Sequence, residues 1–227
     1  MSSYTKYPFA SRHNWLVFKL LMSKLEPAIK RHLKGRLLDI GCSNKPFEFL
    51  TNNLVDEHVG LDHQDSLHPN DRVDVFGTAY EIPFPDNEFE SVLCTYVLEH
   101  LEEPKLALKE AYRVLKPGGI AIYTVPFFWH IHEEPRDFYR YTRYGLEYLA
   151  AEVNFKMLEI HALSGFWGNV GQMFSYHINN QKILNNRFTI PLKRVILFAI
   201  QHFAYFLNKF SKSDSFTNEY MIVLQKP

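Results

Sequence analysis

The 227-residue chain has only two cysteines, no net charge, and no apolar run of the roughly 18 residues that a membrane span needs. Each shortage removes a class of protein. Cys42 and Cys94 are too few for a disulfide framework, and both fall inside apolar, strand-like runs, as in proteins of a reducing compartment. Lys+Arg and Asp+Glu are equal at 25 each, so no global positive field draws the chain to nucleic acid. The opening MSSYTKYPFASRHNW has no basic segment followed by an apolar one, and no secretory signal is read there. Together these absences predict a cytoplasmic protein.

What is present is an ordinary globular balance, 46% apolar and 22% charged, in a chain long enough to bury a core as one domain. Residues 15–33 carry apolar positions at helical spacing, with Pro27 expected as a break or a new start. Short apolar runs at 36–41, 58–63, 73–76, 91–97, 119–126, 155–163 and 219–227 read as strands. Helical patterns at 46–54, 101–115 and 142–153 lie between them, the second closed by Lys116-Pro117-Gly118-Gly119. Strands alternating with helices predict an α/β fold with a parallel sheet and helices on both faces. The expected organisation is a single domain over 1–227: a helical cap to 35, a core over 36–163, an irregular and then helical insertion over 164–218, and a last strand.

In such sheets ligands sit beyond the carboxyl ends of the strands. The first strand ends in Leu38-Asp39-Ile40-Gly41-Cys42-Ser43-Asn44, where a glycine lets backbone approach a ligand closely. Twenty-one residues after Gly41, Asp62 closes the second strand, placed to accept the two hydroxyls of a ribose. These two features fit a nicotinamide enzyme or an S-adenosylmethionine enzyme. Tyr112 and Lys116 mimic a dehydrogenase Tyr-x-x-x-Lys pair, but they close a helix before Pro117, and no G-x-G-x-x-G turn occurs.

The ordered motifs LLDIGCSNKPF, VGLD, TAYEIPFPDNEFESV, VLCTYVLEHLEEP and EAYRVLKPGGIAIYTVP resemble the class I methyltransferases of the type 11 group over roughly residues 36–125. The resemblance implies a Rossmann-like sheet, mostly parallel with an antiparallel last strand, and S-adenosylmethionine as cofactor. It places Asp39, Gly41 and Ser43 at the methionine part, Asp62 and His63 at the ribose, Thr78 and Ala79 beside adenine, and Thr95 and Tyr96 under the methionine end. Two departures stand out: Ser43 replaces the second glycine of the usual turn, and Thr78 replaces the usual adenine-reading acid.

An alcohol or phenol acceptor needs a base tuned near neutral pH. The segment 127–141 mixes aromatic residues with His130, His132, two Glu and two Arg, and either histidine is a candidate. His100 is read as a packed residue, and Arg136, Asp137 and Arg140 as a set that holds the loop. His130-x-His132 has a ligand-like spacing but no second cluster near it in sequence, so no metal is expected. Relatives near polysaccharide and lipid pathways carry segments similar to HEEPRDFYRYTRYGL, which implies a small-molecule acceptor, sugar or lipid-linked compounds included. A non-catalytic scaffold subunit of the same fold is the alternative, resting on Ser43 and Thr78.

Residues 192–209 form a helical wheel with a basic polar half and an apolar half. The reading preferred is a cap packed within the monomer, with Phe203 and Phe206 buried and weak or no lipid binding. A homodimer seam and a membrane-surface contact are the alternatives.

Overall fold

The computed structural model describes residues 12–210 and 214–227. The first eleven residues, on which the reading of no secretory signal rests, lie outside the described residues. The chain divides into two compact units, Leu25–His161 with Glu219–Pro227, and Met1–Lys24 with Ala162–Asn218.

The first unit is built on a seven-stranded sheet. Its strands are β1 (Arg36–Ile40), β2 (Glu57–Asp62), β3 (Val75–Phe76), β4 (Phe89–Thr95), β5 (Leu115–Pro126), β6 (Lys156–Ala162) and β7 (Glu219–Gln225), in the order β3-β2-β1-β4-β5-β7-β6. β1 pairs in parallel with β2 and β4, β3 with β2, and β5 with β4, while β7 runs antiparallel to β5. Leu37 and Leu38 of β1, Val92 and Leu93 of β4, and Ala121 and Ile122 of β5 are fully buried. Unbroken apolar runs are what strands covered on both faces require. The order reverses between β1 and β4, which fixes a ligand crevice at their carboxyl ends.

The helices of this unit are the latter part of α1 (Trp15–His32), the single turn α2 (Glu48–Thr51), α3 (Pro104–Val114) and α4 (Arg143–Glu152). α4 starts on a Thr142 cap whose side chain accepts from the Gly145 amide. Pro27 was expected to break or restart the first helix, yet α1 runs through it. Pro27 and Ser23, whose carbonyl loses its partner, are both exposed, so the gap in the hydrogen-bond ladder falls on the helix's solvent face. Lys116-Pro117-Gly118-Gly119 does not simply stop a helix. It forms an irregular entry to β5, with a register shift against β4 and Gly118 at φ 79°.

The second unit contains α5 (Phe166–Asn180) and α6 (Ile190–Asn208). The irregular stretch expected after residue 163 is therefore largely helix. α5 hides from sequence inspection because its buried positions are Gly168, Asn169, Gly171, Gln172 and Ser175, while its large apolar side chains face outward. α6 corrects the cap-helix expectation. Phe203 and Phe206 are 64% and 54% exposed, and the buried stripe is Leu197, Gln201 and Ala204. The wheel divides as expected, but it is the polar-containing side that packs inward.

Candidate active site

The loop after β1 is shaped by three residues with left-handed backbone: Gly41 at φ 69°, Ser43 at 46° and Lys45 at 52°. Gly41 and Cys42 both donate their amides to the Leu61 carbonyl, at 2.8 and 3.1 Å. That pulls the turn onto the end of β2. A Cβ on Gly41 would sit 2.2 Å from a Val97 methyl, so no other residue fits without movement. Ser43 and Lys45 hold glycine-like conformations that cost a side-chain-bearing residue about 1–2 kcal/mol each. Lys45 is held by its ammonium, which donates to the His58 carbonyl at 2.9 Å and to Asp74 at 2.5 Å. Its methylenes fill the space above Gly60, whose missing Cβ would lie 2.7 Å from the lysine Cε. The turn thus keeps its shape where its composition departs from the glycine-rich pattern.

Asp62 is buried at the end of β2. One carboxylate oxygen accepts the Ser43 amide at 2.6 Å and the other accepts the His63 amide at 2.7 Å. A carboxylate has about four acceptor positions, so these two bonds orient it and leave capacity for two hydroxyl donors. That is the donor set a ribose presents, and the site fits the expected cofactor there. His63 itself is half-exposed, its Nδ1 accepting the Asp65 amide at 3.1 Å. The Gly77 amide donates to the Asp62 carbonyl at 3.0 Å, which brings Thr78 and Ala79 beside the same strand end. The Thr78 hydroxyl accepts the Glu81 amide at 3.1 Å.

Other expected residues are engaged elsewhere. Asp39 is buried, and its carboxylate meets His58 Nε2 at 3.0 Å, with the Thr51 hydroxyl 2.9 Å from the other ring nitrogen. Burial pushes the Asp39 carboxyl up from its usual range, opposed by His58. Thr95 closes β4 beside the switch point. Tyr96, at φ 56°, directs its hydroxyl to the buried Glu219 of β7. Burial drives that hydroxyl's pKa upward, reinforced by the carboxylate. Both thiols are pushed up by burial, Cys42 to about 12, which leaves them unreactive.

The segment 127–142 is fastened over the turn that follows β4. Phe138 and Tyr139 donate their amides to the Glu99 carbonyl at 3.0 and 3.2 Å, and the Tyr141 hydroxyl donates to the Leu98 carbonyl at 2.8 Å. Arg140 clamps Asp137 with bonds of 2.7 and 2.8 Å to its two oxygens. That guanidinium holds the Asp137 carboxyl well below the usual carboxylate range. Asp137 in turn accepts the His132 amide at 2.9 Å and lies 3.4 Å from His132 Nδ1. Arg136 contributes its carbonyl, 2.5 Å from His100 Nδ1, rather than an ion pair to Asp137. His130 stands beside Trp129, with its carbonyl accepting from Arg140 at 2.8 Å.

The fold brings to His132 a set of groups that are remote or misread in sequence. His100 packs edge-on against it, ring centroids 4.9 Å apart. His100 Nε2 lies 3.6 Å from Glu133 and 3.9 Å from Glu99, and His68 meets Glu133 at 2.9 Å. Glu99 is fully buried, and neither of its oxygens has a hydrogen-bond partner among the described residues. One ligand atom each from Glu99, His100 and His132 lie within 4.8 Å of one another, a donor set able to close on a divalent ion. The signal for Glu99 was its place just past a strand end at the switch point; its burial could not be read from Leu-Glu-His.

Burial raises the Glu99 carboxyl from 4.5 to about 8. The folded chain therefore keeps a proton that the unfolded chain releases above about 4.5, and this group's contribution to stability falls as pH rises from about 4.5 to about 8. Glu99→Gln removes the penalty. Its stability gain over the parent should grow between pH 5 and pH 8, by roughly 3–5 kcal/mol at 1.36 kcal/mol per pKa unit. Urea unfolding at the two pH values measures it, and an equal difference at both would refute the buried, proton-holding Glu99.

The sheet order, its antiparallel seventh strand and the turn joining β1 to β2 define the Rossmann-like fold of the class I methyltransferases. Residues 38–123 match the type 11 family model, described as a methyltransferase domain. A demethylmenaquinone methyltransferase of Listeria welshimeri is 47% identical over 130 residues, covering 49% of this chain and 55% of the relative. The chain spans about half the length of the curated relatives it matches. Among solved structures, an S-adenosylmethionine-dependent methyltransferase from Archaeoglobus fulgidus superposes with a TM-score of 0.56 at 18% identity, covering 98% of this chain and 97% of the other. A Haemonchus contortus phosphoethanolamine N-methyltransferase in complex with S-adenosylmethionine gives 0.58 at 16% identity, covering 100% of this chain and 58% of that one.

Proposed function

We propose that this chain is an S-adenosylmethionine-dependent methyltransferase of the cytoplasm, acting on the oxygen or nitrogen of a small-molecule acceptor, sugars and lipid-linked compounds included. The observation that carries the reading is Asp62, buried, oriented by the Ser43 and His63 amides, and with acceptor capacity to spare. The type 11 match over the same strands and the demethylmenaquinone methyltransferases among the relatives support it. S-adenosylmethionine supplies a methyl group already activated by its sulfonium. What remains for the protein is to bind, to align an acceptor, and to manage its proton.

Asp62 holds the ribose hydroxyls, with His63 beside them. The turn Gly41–Ser43, backed by Asp39, takes the methionine part, and Thr78 and Ala79 flank adenine. Thr95 and the backbone of Tyr96 form the floor beneath the methionine end. His132 is the general base and His130 a wall of the acceptor site. Two acceptors, the His130 carbonyl at 3.3 Å and the Asp137 carboxylate at 3.4 Å, outnumber the one donor near His132 Nδ1, Arg140 at 3.4 Å, which favours the tautomer with its proton there and leaves Nε2 to receive a proton. Burial lowers the His132 pKa, with Asp137 opposing, so the ring is neutral and basic at physiological pH.

Isothermal titration with S-adenosylmethionine should show binding, and mass spectrometry of co-purified small molecules should name an acceptor that gains isotopic label from the methyl donor. Binding absent at millimolar cofactor would overturn the enzyme reading in favour of a scaffold subunit.

A further inference from the structure

The helical unit is built inside out. Along α6, Leu192, Val195, Phe203, Phe206 and Phe210, the last just past the helix end, are 55, 64, 64, 54 and 69% exposed. At 100° per residue they share an arc of about 80°, in a stripe about 27 Å long. The opposite side of the helix carries Gln201, fully buried, and Asn208. Gln201 accepts the Leu16 amide at 2.9 Å, and Asn208 accepts the Gly165 and Gly168 amides at 2.9 and 3.0 Å, capping α5. α5 repeats the arrangement, with Gly171 so close to α6 that a Cβ there would lie 2.2 Å from that of Ala204. Its Phe166, Met173 and Phe174 are exposed, while Asn169, Gln172 and Ser175 are buried. Small and polar residues between helices, with large apolar ones outside, is the packing of helices whose surroundings are lipid.

Charge names the kind of lipid. No Asp or Glu occurs between Glu159 and Asp214, while Lys182, Arg187, Arg194 and Lys209 lie along this stretch, all exposed. A second copy of the chain would bring the same uncompensated charge to a seam, whereas an anionic surface neutralises it. α6 also has the length and composition of a membrane-crossing helix. Its Lys193 ammonium, however, is tied to the Asn179 carbonyl at 2.8 Å and to Asn185 at 2.5 Å, at the foot of the hairpin. That tie favours a helix lying along a surface over one threaded through it.

We infer that α5 and α6 form a membrane-docking hairpin, the outer stripe of α6 sinking into the interfacial region of an anionic bilayer with Arg187 and Lys209 at the headgroups. This stands apart from the methyl-transfer reading, since it uses no residue of the cofactor or acceptor site.

The test is flotation of the full chain with vesicles of phosphatidylcholine containing about 30% phosphatidylglycerol, alongside pure phosphatidylcholine. The expected result is strong co-flotation with the anionic vesicles, weak binding to the neutral ones, and partial release by salt. F203S/F206S should weaken binding at least 10-fold and R187E/K209E should abolish the preference for anionic vesicles. Both pairs alter exposed side chains, and an unchanged thermal transition confirms folding. Absence of flotation overturns the inference. So does a dimer in light scattering that F203S/F206S splits while vesicle binding is nil, which would make the stripe a seam between copies.

Discussion

Asp62→Ala should weaken S-adenosylmethionine binding about 10- to 150-fold, as titration calorimetry would record. The arithmetic starts from hydrogen bonds to a charged acceptor, worth roughly 1.5–3 kcal/mol when one partner is removed. The structure adds a second reason for a large effect. The carboxylate that would face the ribose also anchors the Ser43 amide at 2.6 Å and the His63 amide at 2.7 Å. Its loss unties the strained turn after β1 as well as the ligand. Asp62→Asn separates the two contributions, because it keeps the shape and one acceptor oxygen and should fall between parent and alanine variant. A folded Asp62→Ala protein with unchanged affinity would remove Asp62 from the site.

The second large effect is at His132. His132→Ala should lower turnover by about 10²- to 10⁴-fold, the usual weight of a general base, and leave cofactor affinity unaltered. The sign of the pH dependence follows from the ring's environment. Burial lowers the His132 pKa below its usual 6.5, and only the neutral ring accepts a proton. The parent's rate should therefore rise with pH to a plateau reached below neutrality, and that acidic limb should vanish in the alanine variant. Asp137→Asn should keep the fold of the segment in part but misdirect the imidazole, giving an intermediate loss. His130→Ala should change the rate no more than a few-fold, since His130 stands beside Trp129 as a wall of the acceptor site. Full activity in both histidine variants would mean that the acceptor arrives deprotonated. Addition and removal of divalent ions in the same assay separates proton transfer from a role for a metal held by Glu99, His100 and His132.

Much of the sheet was legible because its signals are local. β1, β2 and β5 are short apolar runs closed by Gly41, Asp62 and Pro126, and these strands, with β4 and β7, fall within a few residues of the runs that announce them. Gly41 and Asp62 were legible for the same reason: a strand end at a ligand crevice is a position the pattern itself marks. Pro27 and Ser43 show where local rules yield. Proline inside α1 is tolerated because the carbonyl it strands lies on the helix's solvent face, and Ser43 holds a glycine's φ because Asp62 and Leu61 pull the turn into shape. α5 was missed and α6 turned the wrong way for one shared cause. A helical wheel gives two faces but no direction, and the rule that apolar faces point inward presumes water outside.

The sequence by itself determined the alternation of strands and helices, the turn at Gly41 and the acid at Asp62, because backbone conformation and periodicity are written in neighbouring residues. Only the tertiary structure decided which charged groups meet. Glu99, His100, His132 and Glu133 come together through the fastening of the 127–142 segment onto the Glu99 and Leu98 carbonyls, contacts between residues about 40 apart in the chain. Burial, which raises Glu99 to about 8, and the outward direction of Phe203 and Phe206 belong to that level too. Both depend on what surrounds a side chain in space, and no local pattern encodes it.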